Sequence, residues 1–289
     1  MNDRDNERRL QIAGEDPVST NVVASGGLKS KLDLAFAAPT LFVELPSKGQ
    51  YYKPSSPLHG KQTLEIKFMT AKEEDILTSK ALIKKGIVLD RLIESILVDK
   101  NIDSGELLIG DRNAILVDAR ISGFGSKYVT NVTCPACGTT GKFSFLLDEN
   151  KKVTDCSIPE HMVGKVKHVE GKLFDIVLPQ TNVTIRIRLM NGNDEKSVIQ
   201  ITEANKNSIV DNSNTQQLKL LIESAEGETD KKLISQFIDV MPLRDSKFLK
   251  EAYKAITPNV DLTQQYSCKA CEFSADMEVP FNMEFFWSK

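Results

Sequence analysis

Two CxxC pairs stand far apart in this chain, Cys134 and Cys137 in VTCPACGTTGKFSF and Cys268 and Cys271 in YSCKACEFSADMEV. Both stretches follow one plan: an extended lead-in, the cysteine pair, a small polar turn, then an alternating strand. Two residues between cysteines let both sulfurs converge on one point while the backbone turns its N–H groups toward them. Gly138 allows the tight bend that a side chain would resist. Four thiolates at this spacing describe a zinc ribbon, in which two knuckles donate two ligands each to one tetrahedral ion. Such a shell has no position left for water or substrate, so the expected ion is a single structural Zn2+ with no catalytic part.

The gap between the pairs constrains the fold further. Between Cys137 and Cys268 lie 130 residues, against roughly 15–20 in an ordinary ribbon. A whole folded segment is therefore expected between the knuckles, with the ion clamping its two ends. Three alternatives stay open at this point: iron in a rubredoxin-like site, a thioredoxin-like redox pair, and two pairs that never meet. The redox reading needs a CxxC at a helix N-terminus, whereas GTTGKFSF continues as a turn and strand.

Period and punctuation divide the rest. Residues 1–40 are polar and aperiodic and are expected to form a disordered arm. TLEIKFM (63–69) alternates as a half-buried strand. In TAKEEDILTSKALIKKGIVLDRLIESILVD, Thr70 and Glu73 have capping-box spacing. Gly86 is expected to split that run into two helices, the second with Leu89, Leu92, Ile93 and Ile96 on its apolar stripe. A further helix should start near Asp111 and end at Gly123. KLFDIVLP and VTIRIRLM flank Gln180–Asn182 as a β-hairpin, with Val183, Ile185, Ile187 and Leu189 inward and Thr184, Arg186 and Arg188 on the wet face. Residues 194–256, including TQQLKLLIESAEGE, have helical spacing, and the remainder returns to extended sequence.

The expected class is α+β: a mainly helical unit with short strands over 41–130, then a split zinc ribbon (131–150 and 260–289). The ribbon carries an inserted β-hairpin plus helices over 151–259.

Charge and cysteine usage bound the function. A net charge of −3 and pI ≈ 5.8 argue against broad attraction to nucleic acid or anionic membrane. Five cysteines, an odd number, with no apolar leader favour ligation in a reducing compartment over disulfides. No apolar run reaches the roughly 18 residues of a membrane span, so a cytoplasmic setting is expected. His59, His161 and His168 sit in no catalytic motif, Cys156 reads as an ordinary thiol, and GFG (123–125) is no phosphate loop. No active site is expected, so the chain reads as a non-enzyme. In FNMEFFWSK, Phe281, Phe285, Phe286 and Trp287 either pack on the ribbon or form a docking tail, since aromatics dominate binding hot spots.

FVELPSKGQYY, PLHGKQTLEIKFMTAKEEDIL and KKGIVLDRLIESIL together resemble the baseplate family of T4-type contractile-tailed bacteriophages. Its members are baseplate hub subunits or hub assembly chaperones. The resemblance covers about 41–150 well and the last 25 residues moderately; the middle, 150–260, carries no matching motif. It implies a non-enzymatic viral role in building the tail hub inside the infected bacterium, with other baseplate hub proteins as partners. It leaves open whether the protein stays in the finished virion. The rival reading is a zinc-ribbon nucleic-acid-binding regulator, against which stand the acidic pI and the sparse lysines (Lys127, Lys142, Lys269) around the knuckles.

Overall fold

Alternation in TLFVE and TLEIK makes them antiparallel partners, β1 (Thr40–Glu44) and β2 (Thr63–Lys67), which turn Val43, Leu64 and Ile66 into the core. A computed structural model describes residues 39–149, 151–154, 156, 158–204, 213–279 and 283–286. The disordered arm expected over 1–40 therefore lies almost wholly outside the described residues, as do Phe281 and Trp287.

The link between β1 and β2 holds LPSKGQYY in place through one buried carboxylate. Asp111 accepts from the Ser47 backbone N–H (3.0 Å), the Ser47 hydroxyl (2.6 Å) and the Tyr52 hydroxyl (2.5 Å). Tyr52 Oη in turn accepts from the Leu108 N–H at 2.9 Å. Burial pushes both the Asp111 carboxyl and the Tyr52 hydroxyl above their ordinary pKa values. Gly49 has φ +70°, and a Cβ there would lie 2.4 Å from the Lys61 nitrogen. The motif is thus a folding device: a turn pressed against one neighbour and pinned to another through shared hydrogen bonds.

Helix α1 (Ala71–Thr78) starts at the expected capping box. Thr70 Oγ1 accepts from Lys72 N–H, and Glu73 accepts from the Thr70 N–H at 2.9 Å and from the Ser95 hydroxyl at 2.5 Å. The run then breaks twice rather than once. Ser79 leaves the helical region (ψ 103°) before α2 (Lys80–Lys84), and Gly86 (φ +67°) separates α2 from α3 (Val88–Ile96). On α3, Leu92, Ile93 and Ile96 are buried and Leu89 partly so. Helix α4 (Ile109–Phe124) starts slightly earlier and ends slightly later than the text indicates. It is buried nearly all round through Ala114, Ile115, Leu116, Val117 and Ala119, as a central helix must be.

After α4 come β3 (Lys127–Thr133), β4 (Thr140–Leu146), β5 (Lys152–Val153), β6 (Val166–Glu170), β7 (Leu173–Val177) and β8 (Thr184–Arg188). Helices α5 (Gly192–Ala204) and α6 (Ser213–Leu221) precede β9 (Ile222–Ala225). The expected hairpin β7–β8 is the centre of a four-stranded antiparallel sheet, β6-β7-β8-β9. Its outer strand β9 falls inside TQQLKLLIESAEGE, read from spacing as helix throughout. In IESA, burial alternates with period two (Ile222 and Ser224 in), and pairing with β8 overrides the helical pattern.

Ile185, Ile187 and Leu189 face the core as expected, but Arg188 is not on a wet face. It is largely buried, paired bidentately with Asp194 and at 2.5 Å with Glu223. Arg186 makes a cross-strand pair with Asp175 at 2.7 and 2.9 Å. A second buried pair, Arg112 with Asp90 at 2.9 Å, joins α4 to α3, and Glu195 on α5 approaches the same guanidinium at 3.2 Å.

Helices α7 (Lys231–Val240) and α8 (Leu243–Ile256) lead to β10 (Val260–Asp261), β11 (Gln264–Ser267), β12 (Ser274–Met277) and a 3-10 turn at Met283–Phe286. The fold is α+β, with helices and small antiparallel sheets around one continuous core. Pro39–Lys289 forms one compact unit. β10 pairs with β5, so the end of the chain returns to its middle at two places, here and at the knuckles. Among the described residues no helix is long and apolar enough to cross a membrane.

Candidate metal centre

Each cysteine pair sits in the turn of a β-hairpin, β3–β4 and β11–β12, and the two turns share a closing hydrogen bond and a pair of facing hydroxyls. The Cys134 N–H donates to Thr139 O at 3.0 Å, and the Cys268 N–H donates to Phe273 O at 2.8 Å. At the base of each turn two hydroxyls face one another: Thr133 and Thr140 at 2.9 Å, Ser267 and Ser274 at 3.2 Å. Gly138 takes φ +70°, and Glu272, at the equivalent place, takes φ +58°. The left-handed bend is thus free in the first knuckle and costs the second about 1–2 kcal/mol, the usual price for an L side chain.

The turns bring four sulfurs together. Cys134 Sγ lies 3.7 Å from Cys271 Sγ, Cys137 Sγ lies 3.8 Å from Cys268 Sγ, and all four fall within 4.8 Å of one another. A regular tetrahedron with metal–sulfur bonds of about 2.3 Å has edges of about 3.8 Å. A disulfide would need about 2.05 Å, and all four cysteines are free thiols. The donor set and the spacing fit one tetrahedral, thiolate-loving ion. Cys134 and Cys268 are buried while Cys137 and Cys271 are exposed, so the cluster closes at the surface with its inner half packed on protein.

The electrostatics fit the same use. Hydrogen bonds from the Thr139 side chain and backbone bring Cys137 down to about 6, and the Ala270 N–H, 3.4 Å from its sulfur, lowers Cys268. Cys271 moves the other way, to about 12: the Phe273 N–H lowers it, but sharing a proton with Cys137 and burial outweigh that. Four thiols this close cannot all ionise by themselves; a bound dication removes that conflict.

Beneath the cluster runs a chain of rings, Tyr266, Phe143, Phe145, Tyr128, Phe285 and Phe286, with successive centroids 4.8–6.3 Å apart. Most of these contacts are tilted or edge-on, the arrangement that aromatic quadrupoles favour. Gln264 adds a polar link between the hairpins. Its amide accepts from Leu146 N–H at 3.0 Å and donates to Leu146 O at 2.9 Å, as a neighbouring strand would.

Phe285 and Phe286, which the sequence also allows as a docking tail, are buried in this core and unavailable to a partner. Phe285 packs edge-on against Tyr128 of β3, and its carbonyl oxygen accepts from Arg120 of α4. Cys156 is half-buried, with its sulfur 3.9 Å from Thr154 O, and is not part of the thiol cluster. His59 and His168 contact backbone carbonyls at 2.8 Å and His161 lies 4.0 Å from Glu251. A cleft of about 520 Å³ is lined by Glu195, Tyr253, Lys254, Asp261 and Glu278, and no histidine or cysteine is among the described residues of its walls. The Gln264 link and the Asp111 hub escape a motif search, because each depends on residues far apart in the chain. Only the repeated T/S-C-x-x-C-x-T/F-T/S signature, which also carries the rung hydroxyls, hints at the paired turns.

No curated protein and no solved structure matches the chain. A family model described as T4 bacteriophage base plate protein matches residues 39–287, including the middle for which the sequence shows no motif. The match takes in both knuckles and the Ser47–Asp111–Tyr52 hub. The chain belongs to the T4 bacteriophage base plate protein family.

Proposed function

We propose that the protein is a non-enzymatic component of the central hub of the phage tail baseplate, or a factor that assembles that hub. It acts through contacts with other hub proteins and is held in shape by one structural Zn2+ on Cys134, Cys137, Cys268 and Cys271. The observation that carries this reading is the family match over 39–287, nearly the whole body of the chain. The four-thiol cluster supports it, because four protein ligands leave a tetrahedral ion no site for chemistry. On this reading residues 131–150 and 260–289 form a split ribbon, 151–259 is its insert, 41–130 is a helical unit and 1–40 an arm. Assembly takes place in the host cytoplasm.

The ion's part is to contribute folding free energy and close the long insert. The residues' part is to present the thiols in two matching turns and to carry that rigidity into the ring chain below.

Mass spectrometry of purified virions, with electron microscopy of tails from phage lacking the gene, tests the reading. Missing or malformed hubs are expected. The protein in the virion marks a hub subunit, and its absence marks an assembly factor. Normal tails without the gene overturn both. A gel shift with random DNA checks the nucleic-acid alternative: tight binding that weakens steeply with salt would replace the hub reading.

A further inference from the structure

Among the described residues the two most exposed large apolar side chains are Val240 (77%) and Leu243 (71%), separated only by the Met241–Pro242 turn. They form a corner where α7 ends and α8 begins. Helix α7 has two apolar lines. Ile234 and Ile238 face the core, whereas Leu233, Phe237 and Val240, at i, i+4 and i+7, run along its flank with Leu233 and Val240 in water. Folding accounts for the first line and for Phe237, which packs partly on the core, but not for Leu233 and Val240. Beside α8, His161 approaches Glu251 and Lys165 lies 5.4 Å over the Phe248 ring, so this loop runs along the helix toward Leu243. Val163, between them, is also exposed.

The charges around this corner are one-sided. Its carboxylates are engaged within the fold: Asp230 caps α7, Asp239 pairs with Lys219 at 3.2 Å, and buried Asp245 accepts from the Gln180 and Thr181 N–H groups. The side chains of Lys232, Arg244 and Lys247 have no hydrogen-bond or ion-pair partner among the described residues. Apolar anchors ringed by uncommitted cations fit a partner that carries apolar side chains and carboxylates. A second copy fits badly, since a two-fold contact through this corner sets cations against cations. Bare phosphate has no use for aliphatic anchors.

We infer that the α7–α8 corner is a docking surface for an acidic amphipathic segment of another protein. Leu233, Val240 and Leu243 are its anchors and Lys232, Arg244 and Lys247 its charged rim. The inference rests on the reading of the protein as an assembly component that works through protein contacts.

The test places a photo-crosslinking amino acid at Leu243, and at exposed Phe42 as a remote control, in the full chain supplied to phage lacking the gene. Crosslinked peptides are then sequenced. The expected result is one net-acidic, apolar-studded segment of another protein at position 243 and not at 42. With that protein purified, Leu243→Asp should weaken association about thirty-fold. Lys247→Glu should weaken it several-fold and flatten its salt dependence, and neither should move the melting temperature. A crosslink to a second copy, to nucleic acid, to a neutral or basic segment, or to nothing overturns the surface. If the wild-type chain is still needed for baseplates in that case, the functional reading stands without it. If baseplates form without the chain, the functional reading falls as well.

Discussion

Arg120 donates from Nε to the carbonyl oxygen of Phe285 at 2.9 Å, across 165 positions of the chain. The same guanidinium donates to Gly125 O at 2.9 Å and lies 5.9–6.0 Å from the Tyr128 and Phe285 ring centroids. Burial depresses its pKa, yet it keeps its charge at any ordinary pH because an arginine starts so high. The end of the chain is therefore held by a cation under a ring and by a carbonyl on that cation.

Phe285→Ala should for this reason act on folding before it acts on any partner. Removing a fully buried ring costs about 3–5 kcal/mol, read as a lower urea midpoint. Truncation after Glu284 should do the same. Full stability with lost partner binding would return these rings to the docking role.

Metal removal or Cys268→Ser should lower the melting temperature by roughly 10 °C, on the order of 3 kcal/mol. Cys156→Ser should change it by less than about 2 °C. Elemental analysis of the wild-type protein should find one zinc per chain. Equal effects of the two substitutions, or no bound metal, count against the ligand set.

Close approach makes a sharper contrast between two glycines. A Cβ on Gly110 would lie 1.8 Å from the Pro258 carbonyl oxygen, whereas one on Gly141 would meet nothing within 4 Å. Gly110→Ala should therefore abolish soluble expression or cost several kcal/mol. Gly141→Ala should be close to neutral, as thermal melts of the two variants would show.

The Asp111 hub predicts both a mutational cost and a pH signature. Asp111→Ala orphans three buried donors on Ser47 and Tyr52 and should cost about 3 kcal/mol or more. Burial raises the folded-state pKa of Asp111 above its ordinary 3.8. The folded state therefore binds its proton more readily, and this group's stabilising share is complete below 3.8 and lost as pH rises through the folded value. Asp194 works in the opposite sense. Burial opposes ionisation there, but the Arg188 hydrogen bonds prevail and lower its pKa. Its stabilising share is present above 3.8 and lost as pH falls through the lower folded value. Asp111→Asn should remove the first component of the stability–pH curve, and Asp194→Asn the second.

Local chemistry was legible from residue order because its partners lie within a few positions: the Thr70–Glu73 cap, the Gly86 break, the β7–β8 hairpin and the two CxxC turns. Neighbouring residues meet whatever the rest of the chain does, so spacing alone determines them. Three features belong to the tertiary structure: the strand at Ile222–Ala225, the ion pairs of Arg188, and the burial of Phe285 and Phe286. Each was set by a surface contributed from elsewhere, the edge of β8, the carboxylates of Asp194 and Glu223, and the rings and guanidinium around Tyr128 and Arg120. The sequence named four cysteines suited to one ion. Only the folded chain, by bringing two turns 130 residues apart into matching register, set their sulfurs at tetrahedral distance.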